Sequence, residues 1–304
     1  MKITKTPFFR CGLYPKRIGL ARCLTAGGFI ILMLVSLSAC KAKKPDEQRR
    51  YVVLSPEVAE IMAALDLGQD IVGLTDECTY PLEFKSIPKI GKFGMVRKET
   101  VLKLEPQIVF TSGLEQDAIT AELKKLKLEV VSVYPRSLED MYAAIISIGD
   151  VTGRQERART LVSELQASIK STTDKSTRMI KPKVYIEINR DPLMSVSDQS
   201  FVGQLIETAG GDNIFPALER DYARVSAEDV IKAAPDIIIC YSQDSLSNLI
   251  ARKGWQEIPA IKNGLIYTEQ NLDPDLIQRA GPRARLGIKR LNDLFLAWGN
   301  DQRQ

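Results

Sequence analysis

The chain contains 304 residues, of which 44% are hydrophobic and 26% charged, and its formal net charge is +4. It has no histidine, which excludes a nucleophile–histidine catalytic pair and a histidine-ligated zinc or manganese site. Residues 1–39 contain six of the 42 Lys and Arg residues and none of the 38 Asp and Glu residues. The remainder of the chain therefore has 36 basic and 38 acidic residues. We therefore expect no surface that binds nucleic acid.

The first 39 residues have the pattern of an export signal. Basic residues precede the apolar run Phe29–Val35, which is much shorter than the roughly 20 residues that span a bilayer, so a permanent transmembrane helix is disfavoured. Leu37-Ser38-Ala39-Cys40 matches a lipobox, which predicts a lipoprotein signal peptide over residues 1–39, cleavage before Cys40 and acylation of that cysteine. The expected location is a membrane facing the periplasm, or the outer face of the plasma membrane in a single-membrane bacterium.

Residues 40–50 are predicted to be a lipidated tether, because the stretch after Cys40 reads KAKKPDEQRR and is charged and interrupted by proline. Besides the acylated cysteine, only Cys78 and Cys240 remain after cleavage, and they fall in different predicted lobes. One disulfide is arithmetically possible. We predict two separate buried or semi-buried thiols instead.

Residues 51–152 are predicted to form an N-terminal lobe in which strands and helices alternate, an order that favours a parallel sheet. Ser55 and Pro56 are residue types that cap and open a helix, and Gly68 follows its end near Asp66. The remaining predicted elements are strands at Tyr51–Leu54, Ile71–Leu74, Gln107–Thr111 and Glu129–Val133 and helices at Gln116–Leu126 and Leu138–Val151.

Residues 153–181 are predicted to be a linking helix, because apolar residues recur on one helical stripe from Gln155 to about Thr177. A helical connector resists wide hinge opening, so we expect small lobe movements on ligand binding. Residues 182–304 are predicted to form the C-terminal lobe. Its predicted elements are strands at Lys183–Ile188, Asp236–Cys240 and Leu265–Tyr267 and helices at Phe201–Ala209, Ala227–Ala233 and Pro282–Trp298.

A repeat relates the two lobes. Glu99–Thr111 reads ETVLKLEPQIVFT and Glu228–Tyr241 reads EDVIKAAPDIIICY, with Glu, Val, Lys, Pro and Ile at fixed offsets. A weaker similarity relates LGQDI at Leu67–Ile71 to GGDNI at Gly210–Ile214. Any α/β protein repeats helix, proline and strand, but shared residues at fixed offsets favour duplication. The predicted fold class is therefore α/β, with two Rossmann-like three-layer lobes of mainly parallel strands, one long joining helix and a ligand cleft between the lobes.

Several segments resemble the helical-backbone (class III) periplasmic solute-binding proteins of ABC importers for vitamin B12, iron-siderophores and haem. The resemblance extends from about Tyr51 to Trp298 and is most similar to the cobalamin-binding branch. The segments that carry it are Val52–Pro81, the Glu99 repeat, DPLMS at Asp191–Ser195, AGGDNIF at Ala209–Phe215, VSAEDV, and RAGPRA at Arg279–Ala284.

The resemblance implies a binding protein rather than an enzyme, without an intrinsic cofactor or metal. Such a protein, expected here as a monomer, captures a corrinoid between its lobes and delivers it to a transmembrane permease dimer with its ATPase. In the cobalamin binder one surface glutamate of each lobe docks onto permease arginines, and these positions match Glu99 and Glu228. A helix N-terminus also stabilises a carboxylate, so a first-turn position alone is the competing explanation for both glutamates.

The resemblance also implies that six residues of this chain line the ligand pocket. Phe93 and Tyr222 stand where the cobalamin branch has tryptophans, and Glu77 stands where it has a tyrosine, which leaves less stacking area and adds a charge. Asp275 and Arg279 are four residues apart, so a local ion pair is the competing interpretation. The predicted ligand-binding residues are Glu77, Tyr80, Phe93, Tyr222, Asp275 and Arg279.

Two other functions stay open. With the same fold, the ligand can be a ferric siderophore, which needs several convergent arginines and tyrosines, or haem, which needs an axial ligand such as Tyr80, Tyr222, Met95 or Met194. A membrane-anchored enzyme is a more distant alternative, because the chain lacks a Gly-x-Ser-x-Gly elbow, a phosphate-binding glycine loop and zinc-ligand spacing.

Overall fold

The structure is a computed structural model that describes residues 49–113, 116–174 and 180–302. The predictions for the signal peptide, for Cys40 and for most of the tether fall outside these residues, as does the end of the linking region at 175–179. No helix within the three described ranges is long and apolar enough to cross a membrane.

The first lobe contains a parallel sheet of four strands in the order β2-β1-β5-β6 and a separate hairpin of β3 and β4. The strands are β1 Tyr51–Val53, β2 Ile71–Leu74, β3 Gly91–Lys92, β4 Met95–Val96, β5 Ile108–Ser112 and β6 Val130–Val133. The helices are α1 Pro56–Ala64, α2 Lys98–Lys103, α3 Asp117–Lys125 and α4 Leu138–Thr152.

Local capping explains where the longer helices begin. The Ser55 hydroxyl accepts a hydrogen bond from the Val58 backbone nitrogen at 3.4 Å, and Pro56 opens α1, as predicted. The Ser137 hydroxyl likewise accepts from Asp140 at 2.9 Å, and Gly153 ends α4 in a left-handed conformation with φ of 71°. Helix α5, Gln155–Thr173, follows at once and buries the predicted apolar stripe against α4 and the last helix.

The second lobe contains another parallel four-stranded sheet, in the order β10-β7-β12-β13, and a small antiparallel sheet, β11-β9-β8. The strands are β7 Lys183–Glu187, β8 Asn189–Arg190, β9 Leu193–Val196, β10 Asp212–Asn213, β11 Tyr222–Arg224, β12 Ile237–Cys240 and β13 Ile266–Thr268. The helices are α6 Phe201–Thr208, α7 Ala227–Ala233, α8 Leu246–Ala251, α9 Pro259–Lys262, α10 Pro274–Gln278 and α11 Ala284–Asp301.

The two sequence repeats occupy equivalent places in the two parallel sheets. Each central strand, β1 or β7, is flanked by the strand of the short repeat on one side and by the strand of the long repeat on the other. Glu105 and Ala234, the residues before the repeated proline, both have left-handed φ values, 45° and 52°. The backbone nitrogen of Gln107 donates to the Arg50 carbonyl at 2.8 Å, and the backbone nitrogen of Asp236 donates to the Lys183 carbonyl at the same distance. This agreement supports duplication of one α/β unit.

Some elements differ from the prediction. The last helix was expected at Pro282–Trp298 but begins at Ala284 and continues to Asp301. The small antiparallel sheet and helices α8 to α10 were not predicted, because strands of two to four residues and helices of four to six residues are too short to show a period.

A continuous apolar cluster connects the two lobes. It contains Tyr51 and Phe110 of the first sheet, Val184 and Ile186 of the second, and buried residues of the helices α4, α5, α6 and α11. Each sheet has a smaller cluster on its other face. Apolar layers on both faces explain why the strands are almost uniformly hydrophobic.

Cys78 and Cys240 are both free and buried, which confirms the prediction of two separate thiols. Burial raises the pKa of the Cys78 thiol to about 11 and raises that of Cys240 as well. Since the thiolate is the reactive form, neither side chain is suited to nucleophilic chemistry in the folded protein.

A buried ion pair stabilises the second lobe. Glu187, at the end of β7, is fully buried and accepts two hydrogen bonds from the Arg252 guanidinium at 2.6 and 2.7 Å. The guanidinium also donates to Asp244 at 2.7 Å and lies 4.4 Å from the ring centroid of Trp255. The positive charge therefore has two acidic partners and an aromatic face.

Replacing Arg252 with methionine should destabilise the protein by about 3–5 kcal/mol, because Glu187 would remain buried as an unpaired charge. Urea unfolding followed by circular dichroism measures this free energy. The matched control is Lys262→Met, which removes the exposed pair with Glu257 and should leave the free energy of unfolding nearly unchanged. An equal loss of unfolding free energy in the two variants would contradict a stabilising role for the buried pair of Glu187 and Arg252.

Candidate functional site: a cleft between the lobes

The described residues enclose a cavity of about 450 Å³ between the two lobes. Its walls combine the ends of parallel strands from one lobe with the small antiparallel sheet of the other. Ligands of α/β proteins bind at such carboxyl ends of strands. The lining residues are Glu57, Phe93, Ser112, Tyr134, Pro135, Arg136, Ile188, Met194, Phe201, Asp221, Tyr222, Gln278 and Ala280.

Four aromatic side chains line this cavity. Phe93 lies in the turn between β3 and β4, Tyr134 directly follows β6, Phe201 opens α6 and Tyr222 opens β11. The structure thus brings together Phe93 and Tyr222, which the sequence singled out. Tyr134 was missed, although its position directly after a predicted parallel strand was a usable signal. Aromatic walls of this kind suit a large, flat ligand.

Glu77 holds the Phe93 hairpin in place and is not among the residues that line the cavity. Its carboxylate accepts a hydrogen bond from the Phe93 backbone nitrogen at 2.8 Å. Gln116, which is fully buried, donates to the Phe93 carbonyl at 2.8 Å and to the Leu54 carbonyl at 2.9 Å. These bonds fix the hairpin from both sides of the aromatic residue.

The charges of the cavity lining are Glu57, Arg136 and Asp221. Arg136, between β6 and α4, forms a bidentate ion pair with Asp221, which precedes β11 in the other lobe; Nε donates to Oδ2 at 2.8 Å and Nη2 to Oδ1. Arg136 is the one cation among the described lining residues, and its charge is already matched by Asp221. Glu57 therefore leaves the lining with a net charge of −1.

A second connection between the lobes is centred on Glu60 of α1, whose side chain is 1% exposed. Arg283 donates to its two carboxylate oxygens at 2.9 and 2.6 Å, and Arg279 donates to one of them at 3.2 Å. Both arginines belong to the second lobe. Glu60 was not predicted, although an acid beyond the first turn of a largely apolar helix signals a buried pair.

Three predicted ligand-binding residues lie in this Glu60 network. Asp275 pairs with Arg279 at 2.8 Å, as the competing interpretation expected, and burial raises the pKa of Asp275 against the opposing effect of Arg279. The Tyr80 ring lies 4.1 Å from the Arg283 guanidinium. None of the three is among the cavity's lining residues, and ligand contact by Glu77, Tyr80, Asp275 and Arg279 stays a prediction.

Glu99 and Glu228 have equivalent positions. Each is the second residue of a short helix, α2 or α7, and each is exposed. Ser226 caps α7, whereas Arg97 provides no side-chain cap to α2. The equivalence follows from the duplicated unit, so the structure presents two carboxylates at matching points of two similar lobes.

The chain belongs to the periplasmic binding protein family, whose model matches residues 52–271. It is 29% identical over 253 residues to an uncharacterized ABC transporter substrate-binding lipoprotein, YvrC, of Bacillus subtilis, covering 81% of this chain and 79% of that one. It is 24% identical over 275 residues to the vitamin B12-binding protein of Vibrio vulnificus, covering 89% and 96%.

A solved structure of similar fold is that of the Staphylococcus aureus protein IsdE complexed with heme. The TM-score is 0.71 at 26% identity, and the match covers 81% of this chain and 98% of the other. These similarities confirm the predicted two-lobed fold and the resemblance found in the sequence. The chain is an ABC transporter substrate-binding protein, and its relatives are solute-binding proteins rather than enzymes.

Replacing Glu60 with alanine should reduce the free energy of unfolding by about 3 kcal/mol, because Arg283 loses its shortest ion pair and Arg279 loses one of its two acidic partners. Urea denaturation measures the loss. Glu164→Ala is the control, since its pair with Arg157 is exposed and 3.6 Å long and should contribute less than about 1 kcal/mol. A Glu60 variant as stable as the control would show that this network does not hold the lobes together.

Proposed function

We propose that the protein captures a corrinoid in the cleft between its lobes and delivers it to the permease of an ABC importer. The observation that carries this proposal is the composition of the cavity, which combines four aromatic side chains with a single, already paired cation. A corrin ring offers a broad apolar face to aromatic side chains, and its peripheral amides are uncharged hydrogen-bonding groups. The similarity to a vitamin B12-binding protein supports the same ligand class.

The charge of the lining favours a corrinoid over haem. Haem carries two carboxylates, and each would face Glu57 and Asp221 with no cation other than Arg136 among the described lining residues. Carboxylates brought together away from water repel each other strongly. An amide periphery avoids this repulsion, because an amide both donates and accepts hydrogen bonds.

Haem is nevertheless a specific second candidate. Of the four axial ligands that the sequence suggested, Met194 and Tyr222 line the cavity, whereas the Met95 side chain is 71% exposed and Tyr80 lies against Arg283. Methionine sulfur and a tyrosine phenolate are both known ligands of haem iron. A ferric siderophore is less well matched, because anionic chelates need several cations and the described lining contains Arg136 alone.

Titration of the purified protein with cobalamin, dicyanocobinamide, haem and a ferric hydroxamate siderophore, followed by absorption spectroscopy and calorimetry, tests the proposal. We expect binding of at least one corrinoid and weaker binding of haem. Tyr222→Ala should weaken corrinoid binding about tenfold, since one aromatic contact contributes about 1 kcal/mol or more. Binding of haem with no binding of any corrinoid would replace the proposed ligand.

Attachment and docking complete the proposed transport role. Cys40 would anchor the protein to membrane lipid, and the tether of residues 40–50 would keep it within reach of its permease. Glu99 and Glu228, exposed at equivalent positions, would pair with arginines of the permease dimer. Two separated carboxylates fix the orientation of a docked partner better than one does.

Reversing both charges with Glu99→Lys and Glu228→Lys should abolish corrinoid uptake by cells while leaving the affinity of the purified protein unchanged. Uptake is measured in cells that contain the importer, and affinity by calorimetry. The matched control is Glu129→Lys, which changes another exposed acid of the first lobe, directly before β6, and should leave uptake intact. Loss of affinity in the double variant would contradict a docking role.

A further inference from the structure

The ion pair between Arg136 and Asp221 has an unusual place for a stabilising contact. Both side chains line the ligand cavity, and the pair joins the two lobes across 85 residues of sequence. A flat ligand that enters between the lobes must separate these side chains or lie against them. In either case the ligand meets a half-exposed cation, Arg136, together with a largely buried anion, Asp221.

Each partner of the pair is held by its own lobe. Asp221 precedes β11, and its carbonyl accepts a hydrogen bond from the Ser197 backbone nitrogen at 2.9 Å. Arg136 follows Pro135, and its backbone nitrogen donates to the Asp140 carboxylate at 3.1 Å. The two charges therefore stay at the cavity when the lobes move, and Arg136 keeps a second acid nearby.

A separated Arg–Asp pair demands a ligand group that can satisfy both charges. Asp221 is largely buried, so a ligand group beside its carboxylate must supply a hydrogen-bond donor, whereas the half-exposed Arg136 offers its cation to a ligand acceptor. A primary amide supplies both, through its carbonyl oxygen and its N–H groups. A carboxylate satisfies Arg136 but repels Asp221, and Glu57 adds to the repulsion.

We propose that Arg136 and Asp221 are specificity residues that select peripheral amides over carboxylates on a macrocyclic ligand. Asp221 discriminates by repelling a ligand carboxylate, and Arg136 binds the amide oxygen. This proposal rests on the proposed capture of a macrocycle in the cleft. Arg136 of the first lobe and Asp221 of the second together distinguish peripheral amides from carboxylates on that macrocycle.

The other arginines near the cavity do not cancel the repulsion between Asp221 and a ligand carboxylate. Arg220 and Arg224 line a separate surface depression next to Met194 and Tyr222, together with Glu219. Neither arginine is among the residues that line the cavity, whereas Arg136 is. Arg279 lies in the Glu60 network and is not among the residues that line the cavity.

The test compares two corrinoids that differ in their peripheral groups. Dicyanocobinamide carries amides, whereas dicyanocobyrinic acid carries carboxylates, and cyanide occupies both axial positions of each. The measured quantity is the ratio of their dissociation constants for one protein sample. An inactive fraction of protein affects both values and cancels in the ratio.

We expect the wild-type protein to prefer dicyanocobinamide, and Asp221→Asn to shift the ratio toward the carboxylated ligand by about tenfold or more. Arg136→Gln should shift the ratio further toward the amide ligand, because the carboxylated ligand loses its one favourable charge. The matched control is Asp293→Asn, which alters the exposed pair with Lys289 on α11 and should leave the ratio unchanged.

An unchanged ratio in the Asp221 variant would overturn the proposal, even if both affinities fell, because the pair would then act only as a contact between the lobes. If the protein binds haem and neither corrinoid, the proposed ligand is wrong, but the role of Asp221 can still be tested. The measured quantity is then the ratio of the dissociation constants for haem and for its dimethyl ester, which lacks the carboxylates. A shift toward haem in Asp221→Asn would support selection against carboxylates, and no shift would overturn it.

Discussion

Glu60 and its two arginines are the contact on which the arrangement of the lobes depends. The carboxylate is almost fully buried on a helix of the first lobe, and its hydrogen-bond donors, Arg279 and Arg283, come from the second. Separation of the lobes at this point would leave a buried charge unpaired, which costs several kcal/mol. The continuous apolar cluster through α4, α5, α6 and α11 opposes the same separation. Both constraints support the expectation of small lobe movements, since the contacts that resist opening are built into the connecting region itself.

Because the lobes are constrained there, the cleft between them can be shaped by small local structures. The hairpin that carries Phe93 is fixed by Glu77 and Gln116, and the antiparallel sheet that carries Tyr222 is fixed by its pairing with β9. Phe93 and Tyr222 nevertheless have equivalent positions in the repeat, since each lies six residues before the repeated glutamate. The duplicated sheets supply a common frame and the equivalent Glu99 and Glu228, whereas the hairpin and the antiparallel sheet add Phe93, Met194 and Tyr222 to the cavity wall. Ligand choice can therefore change without altering the frame, in keeping with a family that includes vitamin B12-binding and haem-binding relatives.

Charged residues have two different roles in this molecule. Glu187 and Arg252 are buried within one lobe and stabilise its packing, whereas Arg136 and Asp221 join the lobes at the cavity. The first pair is inaccessible to a ligand, so its charges are satisfied permanently. Arg136 and Asp221 must each be paired either with the other or with a group of the ligand. We therefore propose that this pair distinguishes between ligands with different polar groups. The same residue types thus contribute to stability or to selection according to their access to the cleft.

The sequence alone determined the α/β class, the two lobes, the linking helix and the repeat, because these depend on periods, caps and proline positions that act within about 20 residues. It also predicted, through the resemblance, that Phe93 and Tyr222 bind the ligand, and both line the cavity. Only the tertiary structure decided that Tyr134, Arg136 and Met194 also line the cavity. It likewise decided that Arg279 pairs with both Glu60 and Asp275. Glu60 lies more than 200 residues from its arginines, and no local pattern encodes a pairing over that distance. Side-chain partners across a cleft are chosen when the lobes pack, so they follow from the fold rather than from neighbouring residues.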